Sequence, residues 1–154
     1  MLLLQNRKVS MVDVSEKKIM FRRAKAIGRI RLSKRTLEKI LAGEIEKGDV
    51  ITIAKIAAIN AAKEASKLIP MCHPLKITHV DVDIRPYENG LEVSVEVKVI
   101  DRTGPDMEAI TACAVALLNI FDMVKAYEKD ENGLYPEMQI EWIKIVEKEK
   151  REIQ

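Results

Sequence analysis

The 154-residue sequence predicts an α+β protein built on one antiparallel sheet, and three observations carry that prediction. Two stretches with period-two alternation meet at Glu88-Asn89-Gly90, as in a hairpin with one apolar and one polar face. Two long apolar helical stretches, Val50 to about Leu68 and Asp106 to about Lys129, flank that hairpin. One strand precedes the first helix pair and another follows the last helix. The order β, (short α) α, β, β, α, β is the split βαβ, ferredoxin-like arrangement, with helices on one face of the sheet.

Residues 22–32 alternate around Gly28, with Ile30 and Leu32 on one face, and read as the first strand. Ser33 is placed to cap a short helix from Lys34 to about Leu41, which Gly43 stops. Lys47-Gly48-Asp49 forms a turn in which Asp49 caps the next helix. That helix is so rich in Ala and Ile that it reads as mostly buried. Pro70 and Pro74 bracket an irregular segment, Met71-Cys72-His73. Val80, Val82 and Ile84 alternate with Asp81, Asp83 and Arg85, and Leu91 to Val99 alternates in the same way. Asn89 and Gly90 tolerate positive φ at the turn between these strands. Thr103-Gly104-Pro105 breaks the chain before the long helix. The last strand is expected from Met138 to Glu147, followed by a solvated charged run, Glu147 to Glu152.

Hydrophobic residues at 47%, charged residues at 32% and a net charge of +2 describe a single compact domain over 1–154. A chain of this length buries roughly two-thirds of its unfolded surface, so no staples are needed. Residues 1–10 read as an N-terminal arm and 149–154 as a charged tail. Cys72 and Cys113 are too few for a disulfide framework, which points to a reducing compartment. The apolar Met1-Leu2-Leu3-Leu4 is too short for a signal peptide, and no run approaches the roughly 18 apolar residues of a spanning helix. The expectation is a cytoplasmic protein with no membrane partner.

Charge is unevenly spread. Seven basic residues and no acid lie between Arg22 and Arg35, so a chain of net +2 carries −5 elsewhere. A local basic segment on an acidic body suggests an anion bound at one place. The competing reading is an edge strand studded with Lys and Arg against edge pairing.

On the long helix, Glu108, Thr111, Asn119, Asp122 and Lys125 share about a third of the circumference. The stripe is sparse and short-chained, unlike an ordinary solvent face, and suits a pocket wall or a subunit contact. Asp122 and Lys125 are three apart and can meet. They form either a surface ion pair or a proton-transfer pair. Cys72-His73 lacks zinc-site spacing, and its fixed backbone suits either a pocket wall or a satisfied buried histidine. Neither phosphate-loop nor dinucleotide motif is present, so any nucleotide phosphates fall to lysines and arginines. Lys47, in the turn before a helix N-terminus, is one candidate.

Several segments together resemble one family. They are Met11-Val12-Asp13-Val14-Ser15, Lys47-Gly48-Asp49-Val50, Ala61-Ala62-Lys63, Leu68 to Leu75 with its Cys72-His73-Pro74-Leu75, Asp106-Met107-Glu108-Ala109, and Phe121 to Ala126. From Met11 to about Lys148 the chain resembles the MoaC family of molybdenum cofactor biosynthesis. The resemblance implies conversion of 3′,8-cyclo-7,8-dihydroguanosine 5′-triphosphate to cyclic pyranopterin monophosphate, a lyase reaction releasing pyrophosphate. It implies a homohexamer of three dimers with active sites at dimer interfaces, and a radical S-adenosylmethionine enzyme as substrate supplier. Asp122 would be the catalytic acid/base, with Lys47 and Lys125 contacting the substrate and assisting it. Met71, Cys72, His73, Met107 and Glu108 would line the substrate site, and Lys148 would match a further family lysine. No resident metal or cofactor is expected, beyond a divalent cation accompanying the triphosphate. The chain departs from the family pattern where Glu149-Lys150-Arg151 replaces a Gly-Gly-Lys-Ser-Gly tail. Arg102 also stands in a usual lysine position, and Pro105-Asp106 replaces Val-Glu. Two rivals are a ferredoxin-like RNA-binding protein using segment 22–35, against which the aromatic-poor hairpin argues, and a non-catalytic assembly subunit.

Overall fold

The computed structural model describes residues 8–154, so Met1–Leu4 and most of the expected 1–10 arm lie outside the described residues. Among the described residues the elements run β1 (Met20–Arg31), α1 (Lys34–Ala42), α2 (Val50–Leu68), β2 (Ile77–Tyr87), β3 (Gly90–Asp101), α3 (Asp106–Glu128) and β4 (Gln139–Arg151). The strands form one sheet in the order β2-β3-β1-β4, antiparallel throughout. This is the split βαβ order expected from the element sequence.

Local chemistry sets the helix ends. The Ser33 hydroxyl accepts from the Thr36 N–H at the start of α1, and the Asp49 carboxylate does the same for Thr52 in α2. Gly43 closes α1 in the left-handed conformation. One face of the sheet is apolar: Ala24, Ala26 and Ile30 of β1 and Leu91, Val93, Val95, Val97 and Val99 of β3 are fully buried. Across them lies α3, burying Ala109, Ala112, Cys113, Ala116, Leu117 and Ile120. Each large side chain taken out of water this way contributes roughly 1.5–3 kcal/mol. The alanines of α2 pack against α3, where small side chains let the helices approach closely.

By length and composition α3 could cross a membrane, contrary to the expectation that no run came near that limit. Its apolar character is instead spent on the sheet. β1 yields room for it at Gly28, where an added Cβ would lie 2.8 Å from the Leu117 side chain and 3.0 Å from the Cys113 sulfur.

At the hairpin the glycine has a different cause from the one expected. Positive φ among the described glycines occurs at Gly43, Gly48 and Gly133, not at Gly90. A Cβ at Gly90 would sit 1.9 Å from the Ile30 carbonyl oxygen, so close strand approach demands glycine there. Gly90→Ala is expected to cost about 3 kcal/mol through forced backbone displacement. For a domain of this size that is roughly 10 °C in Tm. Thermal unfolding that leaves Tm unchanged would contradict this register.

The charged C-terminal run is a second correction. Residues expected to be solvated tail, Glu147 to Arg151, continue β4 and pair with Lys25 to Phe21 of β1. The cause is ionic: the Arg23 guanidinium is held by Glu96 at 2.7 Å, Glu147 at 2.8 Å and Glu149 at 3.1 Å. β1 is thus an interior strand, not a basic edge. On the open sheet face a second β1 cation, Arg29, is met by Glu92 of the neighbouring strand at 2.7 Å. The Arg29 guanidinium also lies against the Tyr87 and Trp142 rings. An RNA strand would find Arg23 and Arg29 already engaged by carboxylates.

Candidate functional site

Two clusters form at opposite ends of α3. Near its C-terminal end the Asp122 carboxylate lies between two ammonium groups. Lys125 Nζ is 2.9 Å from Oδ1 and Lys47 Nζ is 3.1 Å from Oδ2. The Lys47 ammonium also donates to the Asp122 carbonyl oxygen at 2.9 Å. Helical spacing supplies Lys125; the turn between α1 and α2 supplies Lys47. Hydrogen bonds from Lys125 first, then Lys47, hold the Asp122 carboxyl below the usual aspartate range, and Asp122 in turn raises Lys125. All three are partly open to solvent, so the triad accounts for little stability. At neutral pH this carboxylate can accept a proton.

At the N-terminal end, Cys72, His73, Met107 and Glu108 line a cavity of about 290 Å³ with Val12, Val14, Lys17, Leu75, Thr103 and Gly104. Met71 is exposed and is not among the residues lining it. Glu108 is 3% exposed; its Oε2 accepts from the Cys72 thiol at 3.4 Å, while Oε1 is buried without a partner. Burial raises the Glu108 carboxyl above its ordinary range. Burial and the adjacent Glu108 push the Cys72 thiol up to about 11. The geometry and burial thus favour the neutral thiol of Cys72 at neutral pH. About 100-fold less thiolate than in a thiol of ordinary pKa is expected, with alkylation by iodoacetamide at pH 8 slowed to match. Glu108→Gln should partly restore the rate; free-thiol reactivity in the unaltered protein would contradict this pairing.

His73 donates from Nε2 to the Val12 carbonyl at 2.8 Å, and Arg102 donates to the carbonyls of Ser15 at 3.3 Å and Lys17 at 2.8 Å. These contacts hold the segment Val12–Lys17 as one wall of the cavity. Sequence reading missed Arg102 in this role, because carbonyl acceptors leave no trace in side-chain spacing.

Beside this cavity, sharing Gly104, is a basic hollow of about 260 Å³ lined by Arg22, Arg23, Lys148, Glu149 and Lys150. Lys148 reaches Asp106 at 2.9 Å, so the extension of β4 carries it to the start of α3. Segment 22–35 contributes Arg22 and Arg23 here, at the Glu108 end rather than the Asp122 end. Among the described residues no group of three or more His, Cys, Asp or Glu side chains converges as a metal would require.

The polar stripe on α3 is thus divided. Glu108 and Thr111 are buried under neighbouring segments, whereas Asp122 is open. Fourteen residues at 1.5 Å rise put Glu108 and Asp122 about 21 Å apart along the axis. Between them the same face exposes Leu118, and α2 exposes Ile53 and Ile56.

Fold and site together define an α+β protein equipped to hold a polyanion and move protons at it: a carboxylate between two lysines, a buried acid–thiol pair and a basic hollow. The chain belongs to the MoaC family, whose model matches residues 11–151. It is 55% identical over 137 residues to the probable cyclic pyranopterin monophosphate synthase of Sulfurisphaera tokodaii, covering 89% of this chain and 91% of that one. The protein of the same name from Thermococcus kodakarensis is 51% identical over 144 residues, covering 94% and 92%. That from Methanosarcina acetivorans is 47% identical over 138 residues, covering 90% and 87%.

Proposed function

We propose that the protein converts 3′,8-cyclo-7,8-dihydroguanosine 5′-triphosphate to cyclic pyranopterin monophosphate and pyrophosphate, by general acid/base catalysis in molybdenum cofactor biosynthesis. The observation that carries this reading is the Asp122 carboxylate clamped by Lys47 and Lys125 in a chain of this family. Opening the guanine-derived ring and rebuilding it as a pterin requires repeated proton transfers, which an acid/base aspartate with adjacent lysines can supply. Closing the cyclic phosphate expels pyrophosphate, and cations near the leaving group stabilise that charge. In this reading Asp122 is the acid/base, and Lys47 and Lys125 contact substrate and assist it. Cys72, His73, Met107 and Glu108, with Met71 at the margin, receive the ring system. Arg22 and Lys148 face the phosphates.

One chain holds the two clusters too far apart for one small molecule, which supports a site completed by a second copy. Val115 lies midway between Glu108 and Asp122 in sequence. A two-fold axis there would set Asp122 of one chain opposite the partner's Glu108 and cover Leu118 with apolar surface. Three such dimers would give the homohexamer. The substrate would come from a radical S-adenosylmethionine enzyme in the cytoplasm, where Cys72 and Cys113 stay reduced. No resident cofactor enters this reading; a divalent cation would arrive with the triphosphate.

The test is direct. Incubated with the cyclised dihydro-GTP, the protein should release pyrophosphate and form the pterin, both read by mass spectrometry. A stable oligomer that leaves the substrate unchanged would overturn the enzyme reading in favour of an assembly subunit.

A further inference from the structure

The turn that carries Lys47 is held from α3 by a group outside the acid/base triad. Ile45 is 6% exposed and anchors one side of the turn, and the Gly48 N–H closes it onto the Ile45 carbonyl at 3.0 Å. Gly48 follows Lys47 at φ 117°, a conformation that other residues rarely adopt. Within this turn the Glu46 N–H donates to the Tyr127 hydroxyl oxygen at 2.8 Å. Among the described hydrogen bonds, this one and those from Lys47 to Asp122 tie the turn to α3.

The next residue along α3 secures the other end of the same excursion. Glu128, 8% exposed, accepts from the Ser33 N–H and the Thr36 hydroxyl, each at 2.8 Å, where α1 begins. The terminal turn of α3 therefore grips both the start of α1 and the turn that follows α1. The Tyr127 ring packs against the core with the Lys39 ammonium 5.6 Å from its centroid, so its hydroxyl is held in place.

We infer that Tyr127 is a positioning residue: its hydroxyl fixes the Glu46 backbone so that Lys47 meets the Asp122 carboxylate. The inference deepens the reading of Asp122 and Lys47 given above and rests on it. Without that acceptor the turn keeps Ile45 and Gly48, but Lys47 must find Asp122 with its own flexible stem. Among the described hydrogen bonds Tyr127 has none to Asp122, and in this reading it acts through Lys47.

Tyr127→Phe tests this, because it keeps the ring and its packing and removes only the acceptor. A fall in kcat of about 10-fold is expected, with KM changed far less, because misplacement of a catalytic partner is felt in the reaction step. Titration of the Asp122 carboxyl by carbon NMR supplies a readout independent of turnover. Lys125 and Lys47 are the charged groups facing it, so a slackened Lys47 should let the Asp122 pKa rise. In a Lys47→Ala background, Tyr127→Phe should add nothing to either measurement. An unchanged Asp122 titration in Tyr127→Phe would overturn the inference. So would an effect that persists undiminished without Lys47. If the unaltered protein shows no turnover, the proposed function fails, and the titration still decides the positioning role.

Discussion

Asp122→Asn is expected to lower turnover of the cyclised dihydro-GTP by at least about 100-fold, within the range that a single acid/base group supplies. Asparagine keeps the shape and one acceptor oxygen, and Lys47 keeps its bond to the residue 122 carbonyl, so the fold should be unaffected. What it lacks is a carboxyl that can gain and lose a proton. The pH dependence has a defined sign. Because the lysines depress the Asp122 carboxyl, its favourable interaction is present above the unfolded aspartate range. It is lost as pH falls through the lower, folded value. The acid limb of kcat/KM for the free enzyme should accordingly lie below the usual aspartate range. In Lys125→Ala, which removes the largest cause of the depression, the limb should move upward. Near-normal rates in Asp122→Asn would reassign the proton transfers to another group.

The second large effect concerns the division of the site between chains. Glu108→Ala removes a side chain from the buried cavity wall, and this variant and Asp122→Asn should each be inactive alone. If one site takes Asp122 from one chain and Glu108 from its partner, a mixed dimer has one doubly damaged site and one intact site. Co-expressing the two variants in equal amounts should then restore about a quarter of normal activity, since half the dimers are mixed and each keeps one site of two. Activity in the mixture no greater than in either variant would place both clusters in separate, single-chain roles. The roughly 21 Å between them on α3 already makes that hard to reconcile with one small substrate.

Much of this was legible because its causes are local. Ser33, Asp49 and Gly43 act on amides within a few residues, so spacing alone locates the ends of α1 and the start of α2. Alternation in Val93, Val95 and Val97 reports the buried face of β3 directly. The Asp122–Lys125 contact follows from helical geometry, and Lys47 was reached from its turn and from the family resemblance. Other features depend on partners distant in sequence. The six charged residues after Val146 look like a loose tail until Arg23 is seen to gather Glu147 and Glu149 across the strand pair. Gly90 looks like a turn glycine until the Ile30 carbonyl is placed beside it. The Tyr127 hydroxyl and the Glu46 amide are 81 residues apart, and no periodicity links them. Periodicity could group Glu108 with Asp122 on one stripe, but it could not show that neighbouring segments bury one end and leave the other open.

The extension of β4 has a consequence for how the protein responds to its medium. From Glu147 onward that strand buries no side chain, and its grip on β1 combines backbone hydrogen bonds with carboxylates gathered on Arg23. Lys148 rides on this same stretch to the mouth of the basic hollow. Mobile ions screen exposed pairs, so added salt loosens the strand end at the same time as it weakens attraction for an incoming polyanion. Heating acts in the opposite sense on the ion pairs, because charged groups lose less on leaving water as temperature rises. If the phosphates bind at this wall as proposed, their capture is coupled to ionic strength twice over, once through the ligand and once through the strand that presents the lysine.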